Sequence, residues 1–296
     1  MACTGKMHIK VVSSKTVMID SFIERVLSEG QKHYRDFAWR NTYDPYAILL
    51  SEIMLQQTQV VRVVGYYDAW LERFPSLDAL AAADTAEVLA AWQGLGYNRR
   101  ALALKRLAVE VSEQRQGILP ITYEELQQLP SVGPATAAGV MAFAHNSFAP
   151  YLETNVRSVV LHEMFADSDD VCDKQVMAVV TQAAEYLEAQ NRESDQIGTD
   201  ARTWNYALLD YGAWLKKAFP NPSRRSKHHS KQSRFEGSFR QKRAALLREI
   251  LNGVPQSAVG LAVSCGFELD DSERALDALC KEGFVQRSSE GKYFIA

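Results

Sequence analysis

From residue 17 to about residue 219, apolar side chains return every three or four positions, and no stretch of any length alternates apolar with polar. That pattern commits the segment to helices, and its Ala, Leu, Glu, Gln and Arg content suits them. Helices are expected over 45–64, 85–92, 99–114, 134–144, 155–165, 171–188 and 204–218. Short breaks carry Gly or Pro, at Phe74-Pro75, Gly94 to Gly96, Leu119-Pro120 and Leu129 to Gly133. Pro220-Asn221-Pro222 closes the last helix. Beyond a polar, basic stretch, helices are expected over 239–252, 255–265 and 270–282. A hairpin pairs 284–287 with 292–295 around Ser288-Ser289-Glu290-Gly291. The expected class is all-α. A loose tail (1–15) leads into a helical domain (16–222), a basic linker or arm (223–238) and a small winged-helix-like module (239–296).

Charge is unevenly spread. The chain carries a net −3, yet between residues 216 and 248 stand eleven Lys/Arg against one acidic residue, Glu236. Such segregation suits a protein with one face turned to phosphate, although solvated linkers are also often basic. No apolar run is long enough to span a bilayer, and the N-terminus lacks a secretory apolar stretch. No membrane association is expected, and a cytoplasmic site is, with the nucleoid reached through DNA. The four cysteines (Cys3, Cys172, Cys265, Cys280) are far apart, which argues for free thiols and against a zinc site or a cysteine-held cluster.

The string Leu129-Pro130-Ser131-Val132-Gly133-Pro134-Ala135-Thr136-Ala137 joins two helices by a tight turn. Gly133 is expected to supply a backbone conformation that a side chain would obstruct, and Pro134 suits a first helical turn. Backbone N–H groups of Val132, Gly133, Ala135 and Thr136 would then form an anion site, where a DNA phosphate can rest without any base being read. A plain helix–turn–helix corner would look the same in isolation. In the expected 45–64 helix, Glu52, Gln56 and Gln59 share one face, with Leu49, Ile53 and Val60 towards the core. Such a polar row is ordinarily a solvated face.

The hairpin string resembles LPGVGxxTA of the helix-hairpin-helix (HhH-GPD) DNA glycosylase superfamily. Phe37-Ala38-Trp39-Arg40 is similar to the LPWR segment of its MutY-type adenine glycosylases, and the ten residues from Ser51 to Val60 resemble SEVMLQQTQV. Gly94-Leu95-Gly96-Tyr97 matches GLGY, Leu152-Glu153-Thr154-Asn155-Val156 is similar to LDGNV, and NYALLDYG at 205–212 is similar to NQAMMDLG. The segments occur in order between about 17 and 222.

The resemblance implies a two-lobed helical glycosylase domain. It implies that Glu52 protonates the departing base, burial raising its pKa. It gives Gln56 and Gln57 a wedge role in the space vacated by a flipped nucleotide. Tyr97 would stack near the opposite base, and Trp39, Arg40 and Asp210 would surround the flipped base. Glu153 stands where the family has Asp, with Thr154 in place of Gly, and would stabilise positive charge on the sugar; Asn155 would orient the sugar or the carboxylate. On the residues alone, other readings remain. Trp39 could be core, Asp210 an arginine partner, Glu153 a charge at a helix start and Asn155 a cap. Ala135 occupies the position where bifunctional relatives carry a Schiff-base lysine, so hydrolysis by water without strand cleavage is expected.

Two departures from the family pattern stand out. The cysteines that hold an iron–sulfur cluster in most MutY-type enzymes are missing, so no cluster, no other metal and no required cofactor are expected. Arg224, Arg225, Lys227 and Lys231 would supply the phosphate-facing surface instead. Adjacent His228 and His229 make a poor metal site. Relatives often hold a monovalent cation on the hairpin's carbonyls, and that option is open here. The Nudix-like domain usual at the C-terminus of such enzymes is also not expected, since residues 239–296 are too few for one and read as a winged helix. The expected partner is double-stranded DNA with a damaged or mismatched base, bound by a monomer. Adenine opposite guanine or 8-oxoguanine is the expected target. Mismatched thymine or uracil, or an oxidised or alkylated purine, is the alternative; a lesion sensor without catalysis is another.

Overall fold

A computed structural model describes residues 14–168, 170–193, 198–227 and 234–296. Most of the expected tail, together with Cys3, His228, His229 and Lys231, lies outside the described residues. The chain divides into two compact units, neither continuous in sequence: Met1–Asp36 with Met141–His229, and Phe37–Val140 with Ser230–Ala296.

The first unit is built on three helices, α1 (Ser14–Lys32), α9 (Thr154–Met164) and α11 (Ala201–Ala218), with α10 (Asp173–Glu193) beside them. Two glycines set the packing distances. A Cβ on Gly30 would fall 2.5 Å from Cα of Ala207, so α1 and α11 meet backbone to backbone. A Cβ on Gly212 would fall 2.2 Å from the carbonyl oxygen of Asn155, which brings α11 equally close to α9. Trp204 fills the core, edge-on to Phe22 at 6.0 Å.

The second unit begins with a 3-10 turn (Ala38–Arg40) and continues through α2 (Pro45–Leu55), α3 (Val60–Arg73), α4 (Leu77–Ala82), α5 (Thr85–Trp92), α6 (Arg99–Arg115) and the short α7 (Tyr123–Leu126). The first residues of α8 (Pro134–Ala144) complete this part. Asp44 caps α2, accepting from the N–H groups of Tyr46 and Ala47, and Pro45 occupies the first turn. Leu49, Leu50 and Met54 are fully buried, and Trp70 packs edge-on to Trp92 at 5.2 Å. Two of this unit's buried polar groups satisfy each other locally: Trp70 Nε1 donates to the Tyr46 hydroxyl, which donates to the Phe74 carbonyl.

The C-terminal part of this unit places α12 (Phe239–Asn252), α13 (Ala258–Cys265) and α14 (Leu269–Lys281) before the hairpin of β2 (Val285–Arg287) and β3 (Lys292–Ile295), the order expected from the sequence. A third strand, β1 (Gln256–Ser257), escaped the sequence reading. It pairs antiparallel with β3, giving the order β1-β3-β2. Two residues are too short for any period to register.

One helix of the sequence reading needs correction. The stretch 45–64 is two helices, because Gln56 turns extended and Gln57 takes a left-handed φ of +53°. Glu52, Gln56 and Gln59 therefore do not share a helical face. Apolar residues continue across the break, so the pattern alone hides it.

Candidate active site

Glu52 occupies the last full turn of α2 and is half-buried. Its carboxylate lies on α8 at Gly139: a Cβ there would come 2.3 Å from Oε2 and 2.6 Å from Cδ of Glu52. Only glycine leaves that space. The carboxylate is thus wedged between the helix that carries it and the helix that follows the hairpin.

Arg100, which the sequence reading passed over, fixes the end of α2. One terminal nitrogen donates to the carbonyls of Ile53 (2.8 Å), Met54 (2.9 Å) and Gln56 (2.6 Å). The other donates to Thr58 Oγ1 at 2.9 Å and the Gly96 carbonyl at 3.0 Å. The guanidinium also lies 5.3 Å from the Trp92 ring centre and 5.4 Å from that of Tyr97. A cation here satisfies the unpaired carbonyls of a helix C-terminus and favours its dipole. Burial lowers its pKa to about 10, so it remains charged at neutral pH. Its only sequence signal is an arginine three residues past the GLGY segment.

The turn after α2 presents Gln57 to solvent, while the Gln56 amide donates to Thr136 Oγ1 at 3.0 Å. Tyr97 also has a left-handed φ, +51°, and its ring is 36% exposed. Gly94 and Gly96 beside it take φ of +95° and +75°, which explains their place in the segment.

At the hairpin, Ser131, Gly133, Pro134 and Ala135 are exposed, whereas Val132 and Thr136 are buried. The left-handed residue is Ser131 (φ +61°), not Gly133. The expectation for Gly133 is corrected: no neighbouring atom lies within 4 Å of a Cβ built on it, so it marks open approach to the helix start. Its carbonyl accepts from Ala137 N–H at 3.0 Å, which makes it the helix cap. The N–H groups of Ala135 and Thr136 then belong to the first turn, where no intrahelical acceptor exists.

In the first unit, Glu153 caps α9 by accepting from the N–H groups of Asn155 (2.7 Å) and Val156 (3.3 Å). The cap is Glu153 and not Asn155, since its side chain reaches back over the first turn. Burial raises the pKa of Glu153, while the Lys216 charge and the two backbone bonds oppose the rise. Lys216 is lowered by its own burial, against the pull of Glu153. Asn155 Oδ1 is buried and accepts no hydrogen bond.

Asp210 is 1% exposed and held by Arg35, whose Nε donates to Oδ1 at 2.6 Å and whose backbone N–H donates to Oδ2 at 3.3 Å. Trp39 is core in the second unit, 5% exposed, stacked on Phe37 at 4.8 Å and edge-on to Tyr67 at 5.4 Å. Arg40 is buried with its guanidinium 5.4 Å from the Phe37 ring centre. Arg224 and Lys227 are exposed. Arg225 instead donates to the carbonyls of Leu161 (2.7 Å), Phe165 (2.8 Å) and Ala166 (2.6 Å), closing the C-terminus of α9. Further along, Lys242 pairs with Asp271 and Arg243 with Glu282, so part of the basic charge is neutralised within the chain. Among the described residues, no three His, Cys, Asp or Glu side chains gather as a metal site, and no helix is long and apolar enough to cross a membrane.

A glycine-cradled carboxylate thus lies on the helix that follows the hairpin, in a mostly helical chain. A family model described as HhH-GPD superfamily base excision DNA repair protein matches residues 50–186. The adenine DNA glycosylase of Mycolicibacterium smegmatis is 32% identical, the match covering 88% of this chain and 92% of that one. The adenine DNA glycosylase of Mycobacterium tuberculosis is also 32% identical, over 90% and 91%. A thermostable thymine-DNA glycosylase superposes with a TM-score of 0.58 at 25% identity, over 68% of this chain and 88% of that one. An endonuclease III trapped as a covalent intermediate with DNA shares the fold, with a TM-score of 0.51 at 16% identity, over 74% and 90%. The chain belongs to the HhH-GPD superfamily, and within it is a DNA N-glycosylase of base excision repair.

Proposed function

We propose that the chain removes adenine mispaired with guanine or 8-oxoguanine by hydrolysis, leaving an abasic site and an uncut strand. The observation that carries this reading is the Glu52 carboxylate lodged against Gly139, on the helix that follows the hairpin. Glu52 gives its proton to the departing base as the base–sugar bond breaks. Water then adds to the sugar carbon, and its proton returns to the Glu52 carboxylate. Glu153 supplies the negative charge that stabilises the sugar cation, and Asn155, with an unused buried acceptor, orients it. Ala135 has no amine to attack the sugar, which supports hydrolysis over Schiff-base chemistry.

In this reading Gln56, Gln57 and Tyr97 fill the gap left by the flipped nucleotide. The N–H groups of Gly133, Ala135 and Thr136 take a phosphate, with or without a monovalent cation on neighbouring carbonyls; the Val132 N–H, expected to join them, instead donates to the Leu129 carbonyl at 3.2 Å and closes the turn. Arg224, Lys227 and Lys231 add positive charge along the backbone. Arg225 acts through the α9 carbonyls it holds, and Trp39, Arg40 and Asp210 are assigned to recognition of the flipped base. No iron–sulfur cluster or other cofactor takes part, the C-terminal module is a winged helix, and the protein works as a monomer.

A panel of duplexes, each with one altered pair, tests this by abasic-site formation. Release of adenine from A:G and A:8-oxoguanine duplexes is expected, abolished by Glu52→Gln with DNA affinity retained. Both duplexes remaining intact while another lesion is processed would overturn the adenine assignment. Likeness to a thymine-DNA glycosylase favours mismatched thymine as the second reading.

A further inference from the structure

We infer that Arg240 is a positioning residue for Tyr97, and that the C-terminal module serves base excision by clamping the loop that carries this tyrosine. The inference rests on the wedge role proposed for Tyr97.

Arg240 and Arg243 lie one turn apart on α12. Arg240 donates to the Tyr97 hydroxyl at 3.2 Å. Arg243 donates to Glu282, at the C-terminal end of α14. The same carboxylate is gripped by Arg99 through two bonds, Nε to Oε2 at 2.6 Å and the terminal nitrogen to Oε1 at 2.7 Å. Arg99 opens α6, two residues after Tyr97. The Arg99 bond holds Glu282 below the usual carboxylate range, so the carboxylate is ionised whenever the enzyme works near neutrality. Glu282 thus joins α12 to the base of the loop, and Arg240 reaches its tip.

The loop needs such a clamp. Tyr97 has a left-handed backbone directly after Gly96 and three residues after Gly94, both at positive φ, a combination with little local preference for one shape. Its ring lies against Arg100, 5.4 Å from the ring centre, and the residue is 36% exposed. The hydroxyl is the remaining handle, and Arg240 takes it. The chemistry of the module points the same way. Helix α14, the third of its helices, carries Asp270, Asp271, Glu273 and Asp277, and an acidic helix is ill suited to a phosphate-lined groove. The module therefore acts on the loop, leaving the duplex to the rest of the chain.

The full-length chain tests this, with 2-aminopurine placed beside the mismatch to report insertion of the ring and single-turnover base release measured in parallel. Arg240→Gln and Tyr97→Phe are each expected to lower the insertion signal and the release rate about fivefold, the worth of one hydrogen bond to a charged donor at a partly exposed site. The double variant is expected to lose no more than either single one, because both remove the same contact. Wild-type insertion by Arg240→Gln, or losses that multiply in the double variant, would overturn the inference. Should Arg240→Gln fail to fold, Tyr97→Phe decides alone, since it deletes only the acceptor: an unchanged insertion signal would overturn it. Absence of adenine release by the wild type defeats the proposed substrate instead, and leaves the insertion signal to judge Arg240.

Discussion

The carboxylate of Glu52 rests on the backbone of Gly139, so close that a Cβ there would stand 2.3 Å from Oε2. The group that must yield is the free end of a flexible side chain. Gly139→Ala is therefore expected to fold, with a gain in helix propensity of about 1 kcal/mol offsetting the displacement. Its melting temperature should lie within about 4 °C of the wild type. On the general-acid role proposed for Glu52, base release should fall about 100-fold or more, because the carboxyl has been pushed out of place. Single-turnover kinetics beside thermal melts would separate the two effects.

Glu153 and Lys216 set a pH dependence. Burial raises the folded-state pKa of Glu153, so the folded chain holds this proton more tightly than the unfolded one. The site's contribution to stability is then full below the ordinary Glu value and is lost as pH rises through the raised value. The role proposed for Glu153, stabilising the sugar cation, requires the ionised form, so base release should fall on the acid side, at a pH above the usual carboxylate range. Lys216→Met removes the charge that opposes the rise, and the acid limb of the pH–rate profile should move further up. An unmoved limb would mean that Glu153 does not govern it.

Arg100 gathers the carbonyls that end α2. Arg100→Met removes the charged donor that these carbonyls share, leaving Ile53 and Gln56 only longer bonds to the Gln56 N–H and the Thr58 hydroxyl, and should cost about 2–4 kcal/mol in urea unfolding. Arg100→Lys offers a point charge in place of a planar fork and should recover only part of the loss.

Ser131 carries the left-handed backbone of the hairpin, where the resemblance places glycine. Ser131→Gly should relieve steric strain of about 1–2 kcal/mol, partly offset by the freer unfolded chain. A net gain of about 0.5–1 kcal/mol in chemical unfolding is expected. A Gly133→Ala variant should fold as well as the wild type, because that position has open space.

Most helices were legible because local chemistry set their ends. Pro134 opens α8, Asp44 and Pro45 open α2, and Pro220 lies just past the end of α11. The break between Leu55 and Val60 was hidden because its cause is remote: Arg100 lies more than forty residues on, and the apolar pattern runs through the gap. Glu52 was legible as a member of a motif, but its seat was not, since nothing local relates residue 52 to Gly139. The basic stretch was overread for a similar reason. Charge counts ignore partners, and Arg225, Lys242 and Arg243 are engaged by groups that only folding brings near.

The clamp on Tyr97 has a consequence for the nascent chain. Arg99 and Glu282 are 183 residues apart, so at ribosomal speed the loop is made roughly ten to forty seconds before its latch. Throughout that interval the helix bearing Glu52 can already have formed while the tyrosine beside it is untethered. Competence on the duplex is thus a late event in biosynthesis, reached once the last helices have emerged. A stalled or prematurely terminated product would retain Glu52, the proposed acid, without a latched Tyr97, the proposed wedge.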